Sequence, residues 1–222
     1  MNARVNPLNG IGMTSLRTRQ RLVGRLREAG IRNEAVLQVM VDIPRHLFVE
    51  EALASRAYEN TALPIGFGQT ISQPFIVALM TEALLDGRSP RKVLEIGTGS
   101  AYQTAVLATL IEQVYSVERV GRLLERAAER LQLLNLNNVH LQHGDGSLGW
   151  LEHSPYDSII VTAATQEIPP LLLDQLSVGG LLIVPLGSPT SQELIRLERK
   201  INGFEKRTLG LVSFVPLLEG VL

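Results

Sequence analysis

The stretch "VLEIGTGSAYQ", residues 93–103, places an apolar run directly before two closely spaced glycines. "VLEI" is typical of a buried strand, and the following "AYQTAVLATLI" is typical of a helix. Gly97 and Gly99 therefore lie in a strand-to-helix turn, where glycine permits positive φ and close approach of the backbone to a ligand. This arrangement predicts the ligand-binding turn of an open α/β sheet.

The alternation of strands and helices continues after this turn. Strand patterns recur at "QVYSVE", "NVHLQHGDG", "YDSIIVTAA" and "GGLLIVPLG", with the helical patterns "RVGRLLERAAERLQLLN" and "PPLLLDQL" among them. Such alternation predicts an α/β fold with a doubly wound, mostly parallel sheet. The last segments, "QELIRLERK" and "TLGLVSFVPL", flank the turn "INGF" and predict an antiparallel hairpin at one edge of that sheet.

The chain before residue 91 has a different, mostly helical pattern. We expect residues 1–14 to be a flexible N-terminus, 15–90 an N-terminal helical cap with a loop for substrate, and 91–222 the α/β sheet. Together they should form one structural domain. Within the cap, helices are predicted from Ser15 onward and at 33–41, 50–57 and 74–85.

Composition excludes several classes of function. The chain has 222 residues, a net charge of −1 and no cysteine, which suits one α/β domain and rules out disulfides and thiol chemistry. Balanced charge argues against a nucleic-acid partner. No segment is long and apolar enough to span a membrane, and the N-terminus shows no signal-peptide pattern, so we expect a cytoplasmic protein. The histidines lack the spacing of metal ligands, so no metal is expected: His46, His140, His143 and His153.

Acidic residues follow the next two predicted strands. Glu118 ends "QVYSVE", and Asp145 and Gly146 follow the third strand in "HGDG". The carboxyl ends of parallel strands share one edge of the sheet, so these residues should meet the glycine turn. An acidic side chain at Glu118 can bind ribose hydroxyls, and Asp145 can accept a hydrogen bond from an adenine amino group. The pattern predicts a nucleoside ligand.

Two residues around the turn decide between classes of nucleoside ligand. Tyr102 stands where the dinucleotide fingerprint needs a small residue, so it leaves less room for a pyrophosphate. Glu95 adds negative charge before the turn, which suits a cationic ligand. S-adenosyl-L-methionine carries a sulfonium and an ammonium and has no phosphate. The residues therefore favour a methyltransferase over a nicotinamide-dependent oxidoreductase.

With these segments placed, residues 15–217 resemble the protein-L-isoaspartate O-methyltransferases, which have a Rossmann-like methyltransferase fold. "AYENTALPIGFGQTISQPFIVALMTEALL" is similar to that family's own signature, and "GQTISQP" is far more specific than the glycine turn. Further blocks match in order: "VLEIGTGSAYQTAVLA", "VYSVER", "NVHLQHGDGSLGW", "YDSIIVTAA", "QLSVGGLLIVPLG" and "VSFVPL".

The departures from the family pattern are few. Ala101 stands where the family usually has Gly, Phe67 where many members have His, and "ATQEIP" replaces a commoner "AAPEIP". Ala101 should cost little provided that its φ is negative.

The resemblance implies transfer of a methyl group from S-adenosyl-L-methionine to the α-carboxyl of L-isoaspartyl residues in damaged proteins and peptides, leaving S-adenosyl-L-homocysteine. The ester returns to succinimide and partly to aspartate. We also expect a monomer with no nucleic-acid or membrane partner. The implied site comprises a catalytic Ser72, the substrate-binding residues Thr70, Ile71, Gln73 and Val215, and the cofactor-binding residues Glu95, Gly97, Thr98, Gly99, Tyr102, Glu118, Arg119, Asp145, Gly146 and Thr162.

The loop "LPIGFGQTISQPF", residues 63–75, fits this chemistry. Its apolar residues would pack over the cofactor, while Thr70 and Ser72 would offer hydroxyls to the incoming carboxylate. A carboxylate with a pKa near ~3.5 is already ionised at neutral pH, so no general base is required. Alternatively, Ser72 caps the helix that begins near Pro74.

Other interpretations remain open from the sequence alone. "VSFVPL" could offer backbone to an extended acceptor peptide or be an ordinary core strand. Rival functions are a methyltransferase acting on RNA or a small metabolite, a nicotinamide oxidoreductase, and a non-catalytic binding module.

Overall fold

The computed structural model describes residues 10–222. The expectation of a flexible N-terminus falls largely on residues 1–9, which lie outside the described residues. Gly12–Thr14 form a short 3-10 helix. No helix within residues 10–222 combines the length and the apolar character that crossing a bilayer requires.

The N-terminal region is helical with a small hairpin inserted. Its elements are α1 (Leu16–Glu28), α2 (Glu34–Asp42), β1 (Leu63–Gly66), β2 (Gln69–Ile71) and α3 (Pro74–Leu85). Asn33 begins α2 as predicted, because its side chain accepts hydrogen bonds from two backbone amides of the first turn. Two predictions are corrected. The helix expected at 50–57 is a 3-10 helix, Glu51–Arg56, and the loop 63–75 contains the antiparallel β1–β2 hairpin.

The second region is the predicted α/β sheet. Its elements are β3 (Lys92–Ile96), α4 (Tyr102–Leu110), β4 (Gln113–Glu118), α5 (Gly121–Leu133), β5 (Val139–His143), β6 (Tyr156–Val161), α6 (Pro170–Asp174), β7 (Leu176–Ser188), β8 (Ser191–Lys200) and β9 (Gly203–Val212). The seven strands lie in the order β5-β4-β3-β6-β7-β8-β9. The first five in this order are parallel, and β8 and β9 continue as the predicted antiparallel hairpin.

The strand order reverses between β3 and β6. From β3 the chain runs outward through β4 to β5, and β6 then returns to the other side of β3. Ligands bind open α/β sheets at such a switch point, outside the carboxyl ends of the strands. The topology therefore places a crevice beside the glycine turn that follows β3.

Apolar side chains cover both faces of the sheet. Val93 of β3 belongs to the larger core cluster, which also contains Leu22 of α1, Val114 of β4 and Leu194 of β8. Leu94 belongs to a second cluster on the opposite face, with residues of β6, β7 and α6. One core cluster thus contains residues of both the N-terminal helices and the sheet, and the organisation as one structural domain stays a prediction.

Candidate functional site

A cavity opens at the carboxyl ends of β3, β4 and β6. The wall includes most predicted site residues: Thr70, Ile71, Ser72, Gly97, Thr98, Gly99, Tyr102, Glu118, Arg119, Gly146, Thr162 and Val215. Three predicted residues are absent from it: Gln73, Glu95 and Asp145. It also contains residues that the sequence did not single out: Gln69, Val77, Ile96, Ser100, Gln103, Val117, Ala163, Pro216, Leu217 and Leu218.

The glycine turn is held closely against β6. Gly97 has φ of 95°, and a Cβ added there would lie 2.4 Å from Thr162 Oγ1. That hydroxyl donates to the carbonyl oxygens of Ile96 and Gly97, at 3.0 and 2.7 Å. Only glycine is compatible with this contact, because any side chain would displace the threonine. Gly97 therefore contributes only backbone atoms to the cavity wall.

Ala101 ends the same turn in an unfavourable conformation. Its φ is 70°, in the left-handed region, and it is fully buried as the N-cap of α4. A low cost was expected only for a negative φ, and this condition is not met. A residue with a Cβ atom in this region costs roughly 1–2 kcal/mol, because the Cβ approaches the following carbonyl oxygen.

Glu118 is fixed at the end of β4. One carboxylate oxygen accepts a hydrogen bond from Gly99 N at 2.7 Å, and the other accepts from Val120 N at 2.9 Å. The side chain is almost fully buried yet lies on the cavity wall. Each oxygen retains capacity for a second hydrogen bond. The carboxylate is thus oriented to accept bonds from a pair of ligand hydroxyls.

Asp145 does not line the cavity, although the next residue, Gly146, does. One carboxylate oxygen accepts from the backbone and hydroxyl of Ser147, and the other accepts from Gly220 N. Burial acts to raise the pKa of Asp145, but these hydrogen bonds outweigh it and hold the pKa below its usual value. A contact between Asp145 and adenine stays a prediction.

Glu95 points away from the cavity. Residues alternate between the two faces of a strand, and this places its side chain among α4 and β4. It is fully buried, and one carboxylate oxygen accepts from Thr104 Oγ1 at 2.5 Å and Ser116 Oγ at 2.6 Å. Burial raises its pKa to about 7. The structure does not bring Glu95 to the position predicted for a direct cofactor ligand.

The opposite wall is the segment from β1 to α3. The turn between β1 and β2 has positive φ at both Phe67 and Gly68. Phe67 is half-exposed, and the guanidinium of Arg126 lies 5.9 Å from its ring centroid. Beyond the turn, Thr70 and Ser72 reach the cavity. Phe67 itself is not on the cavity wall, so its departure from the family pattern leaves the wall unchanged.

The hydroxyl of Ser72 makes no hydrogen bond within residues 10–222. Helix α3 takes Gln73 as its N-cap, without a side-chain capping bond. The helix-cap alternative for Ser72 is therefore not what the structure shows. Its hydroxyl is instead available to a molecule in the cavity.

Arg45 holds the segment from β1 to α3 from the protein interior, and the sequence analysis did not single it out. It is fully buried, and its guanidinium donates to the carbonyl oxygens of Ala57 and Ser72, each at 2.8 Å. The guanidinium also lies 4.8 Å from the centroid of the Tyr102 ring, and burial lowers the pKa of Arg45 to about 10. The available signal was one arginine inside the apolar run "IPRHLFV".

The segment after β9 completes the cavity. Val215 O accepts from Ala164 N at 2.8 Å, and Leu217 N donates to Ala164 O at 2.7 Å. Strand β9 ends at Val212, the first residue of "VSFVPL", so the rest of this segment lies beyond the strand, with Val215 on the wall. The interpretation as an ordinary core strand is wrong, because this segment pairs with the loop after β6.

Residues 17–222 match the protein-L-isoaspartate(D-aspartate) O-methyltransferase family. The chain belongs to this family. It is 59% identical to the protein-L-isoaspartate O-methyltransferase of Halorhodospira halophila over 211 residues, 95% of this chain and 96% of that protein. Identity with protein-L-isoaspartate O-methyltransferase 1 of Marinobacter nauticus is 58% over 215 residues, 97% and 98% of the two chains.

A solved structure of the family gives the same fold. A protein-L-isoaspartate O-methyltransferase from Plasmodium falciparum, in complex with S-adenosyl-L-homocysteine, superposes with a TM-score of 0.79 at 28% identity. The match covers 90% of this chain and 98% of that chain.

The cavity fits S-adenosyl-L-methionine, the methyl donor of this family. Glu118 offers acceptor atoms suited to ribose hydroxyls, and the glycine turn leaves space beside them. Among residues 10–222, Arg119 is the one basic side chain on the wall, so the wall is not built for a pyrophosphate. No three His, Cys, Asp or Glu residues in that range come together as a possible metal site, and independence from metal stays a prediction.

Proposed function

We propose that this chain transfers the methyl group of S-adenosyl-L-methionine to the α-carboxyl of L-isoaspartyl residues in damaged proteins and peptides. The products are a methyl ester and S-adenosyl-L-homocysteine, and the ester returns to succinimide and partly to aspartate. One observation carries the proposal. Ser72, whose hydroxyl makes no hydrogen bond within residues 10–222, lines the same cavity as the glycine turn and Glu118 on the opposite wall, so acceptor and donor groups can meet there.

When bound, the cofactor supplies an electrophilic methyl group attached to a sulfonium. The chain's own residues need only hold the acceptor in place. We assign Ser72 and Thr70 as donors of hydrogen bonds to the substrate carboxylate, with Ser72 as the catalytic residue. The carboxylate is ionised at neutral pH, so no side chain has to remove a proton.

The rate enhancement then comes from orientation and exclusion of water. Ile71 on one side and Val215 to Leu218 on the other present mainly apolar surface to the cavity. Holding the reacting groups in line within such a cavity can contribute roughly 7–11 kcal/mol. Val215 and Gln73 remain proposed substrate contacts, although Gln73 lies off the wall.

The test is transfer of tritium from labelled S-adenosyl-L-methionine to two peptides that differ only in aspartate or isoaspartate at one position. We expect methylation of the isoaspartyl peptide alone. Equal rates on both peptides would contradict the proposed acceptor. Transfer to RNA or a small metabolite with neither peptide labelled would favour the rival class of methyltransferase.

We further propose that the enzyme acts as a cytoplasmic monomer without a nucleic-acid or membrane partner. The net charge of −1 supports the lack of a nucleic-acid partner, since such proteins normally carry a basic excess. Light scattering on the purified chain would measure its mass, and twice the mass of one chain would contradict a monomer.

A further inference from the structure

Hydrogen bonds connect a buried carboxylate to the cofactor wall. Thr104 Oγ1 and Ser116 Oγ both bind the same oxygen of Glu95, at 2.5 and 2.6 Å. Ser116 Oγ also lies 2.6 Å from Thr98 Oγ1. Glu95, Ser116 and Thr104 are fully buried, while Thr98 lies on the cavity wall. We refer to Glu95, Ser116 and Thr98 as the Glu95 relay.

The number of available protons determines which group donates each hydrogen bond in the relay, and we call this order of donors its direction. An ionised carboxylate only accepts hydrogen bonds, and a hydroxyl has one proton to donate. Ser116 therefore gives its proton to Glu95. The bond between Ser116 and Thr98 must then be donated by Thr98. With its proton committed to Ser116, the Thr98 oxygen has only lone pairs left for a further partner.

We propose that Glu95 is a positioning residue, which acts through Ser116 to make Thr98 a hydrogen-bond acceptor for the ammonium group of the cofactor. This inference rests on the proposed function. An ammonium group has three donors and no acceptor, so it requires an acceptor from the wall. A ribose hydroxyl can either donate or accept a hydrogen bond, so its binding does not depend on the direction of the relay. The relay thus selects for the amino-acid end of the cofactor.

Protonation of Glu95 would reverse the direction. Its second oxygen is buried without a partner, so a proton there would leave an unpaired donor. A proton on the bonded oxygen can instead be donated to Ser116. Ser116 would then donate to Thr98, and the freed Thr98 proton would face the cavity and oppose an ammonium group.

The surroundings of Glu95 set the pH at which it takes up a proton and the relay reverses. Burial is the largest cause that raises its pKa, to about 7, and the negative charge of Glu118 on β4 adds to it. Helix α4 presents Thr104 and one ionisable group, Tyr102, whose hydroxyl is directed at the sulfur of Met40. The β6 residue in register, Ile160, is apolar. Affinity for an ammonium-bearing ligand should therefore fall as the pH drops below about 7.

Glu95→Gln tests the direction of the relay. An amide nitrogen facing Ser116 and Thr104 satisfies both of its donors, whereas the opposite orientation buries two unpaired N–H groups. The glutamine should therefore donate to Ser116 and reverse the relay. At pH 8.5 we expect the calorimetric Kd for S-adenosyl-L-homocysteine to rise about tenfold. The Kd for 5′-methylthioadenosine, which lacks the ammonium, should change less than twofold.

Two further variants keep the test decisive. Ser116→Ala breaks the relay without reversing it, so it should weaken S-adenosyl-L-homocysteine binding by roughly threefold and spare 5′-methylthioadenosine. Thr104→Val is the matched control, because it removes a hydrogen bond of Glu95 outside the relay. It should leave the ratio of the two Kd values unchanged at pH 8.5.

The pH profile provides a second readout. In the wild type, the Kd for S-adenosyl-L-homocysteine should rise below pH 7, and in Glu95→Gln this dependence should disappear. Equal losses for both ligands in Glu95→Gln and Ser116→Ala would reduce Glu95 to a structural role and overturn the relay. Ligand discrimination without isoaspartyl methylation would contradict the proposed acceptor but not the relay. A wild type that binds neither ligand would overturn both.

Discussion

The two walls of the cavity are built in different ways. The cofactor wall consists of strand ends in the middle of a seven-stranded sheet, where Glu118 and the glycine turn are held by backbone hydrogen bonds. The acceptor wall is a two-stranded hairpin with a short ladder and a half-exposed Phe67 near its tip. It is tied to the interior through the guanidinium of Arg45.

Binding groups on the cofactor wall are spread over several strands, whereas the acceptor wall depends on a few side chains. On the cofactor wall, several strands each contribute a group, so the loss of one leaves the others in place. On the acceptor wall, one buried arginine holds the backbone, and Thr70 and Ser72 supply the two hydroxyls that we propose bind the substrate. Single substitutions there should have steeper consequences for stability or turnover.

Arg45→Ala should have the largest effect. It removes two hydrogen bonds and leaves a cavity beneath the hairpin, so the free energy of unfolding should fall by about 3 kcal/mol. Urea titration measures this change. Arg56→Ala is the control, because Arg56 makes only an exposed ion pair with Glu59 and should cost less than about 0.5 kcal/mol. Similar losses of unfolding free energy in both variants would show that Arg45 does not anchor the hairpin.

Ser72→Ala should lower turnover roughly ten- to hundredfold, since a hydrogen bond to a charged acceptor contributes about 1.5–3 kcal/mol. Cofactor affinity should stay the same, because the cofactor wall is intact. Steady-state kinetics with the isoaspartyl peptide measure the effect. Thr61→Ala, which removes the hydroxyl of a residue off the wall, should change turnover less than about threefold. Full activity in Ser72→Ala would remove its catalytic assignment.

Glu118→Ala should weaken cofactor binding by about 1–3 kcal/mol, because ligand hydroxyls and two backbone amides would lose their acceptor. Calorimetric titration with S-adenosyl-L-homocysteine measures the change. Glu112→Ala removes an exposed carboxylate that pairs with Arg91 and should leave the affinity unchanged. An unaltered Kd in Glu118→Ala would place this residue outside the cofactor site.

Ala101→Gly should have the smallest effect, and it should stabilise the protein. Glycine relieves the strain at φ of 70°, which should raise the free energy of unfolding by about 0.5–1 kcal/mol. Ala105→Gly, in the interior of the same helix, should instead lower it by about 1 kcal/mol. Thermal unfolding shows whether each substitution raises or lowers the stability. Destabilisation of both variants would show that the lost methyl contact at Ala101 outweighs the strain.

The sequence by itself determined the order and type of most elements, with the β1–β2 hairpin and the 3-10 helix Glu51–Arg56 as exceptions. Periodicity and turn residues located the parallel strands, the C-terminal hairpin and helix α3, whose bounds of Pro74 and Leu85 match the prediction. These features depend on neighbouring residues, so local patterns can reveal them. Twelve of the fifteen predicted site residues also line the cavity, mainly because parallel topology brings strand ends to one edge.

Only the tertiary structure decided how individual side chains and backbone angles are used. The anchoring role of Arg45 depends on carbonyls 12 and 27 residues away along the chain. Glu95 looked like a cofactor ligand, but the alternation of β3 turns it toward α4 and into the relay. The positive φ of Ala101 arises from the packing of the whole turn. Such features depend on contacts between distant segments, and no local pattern encodes them.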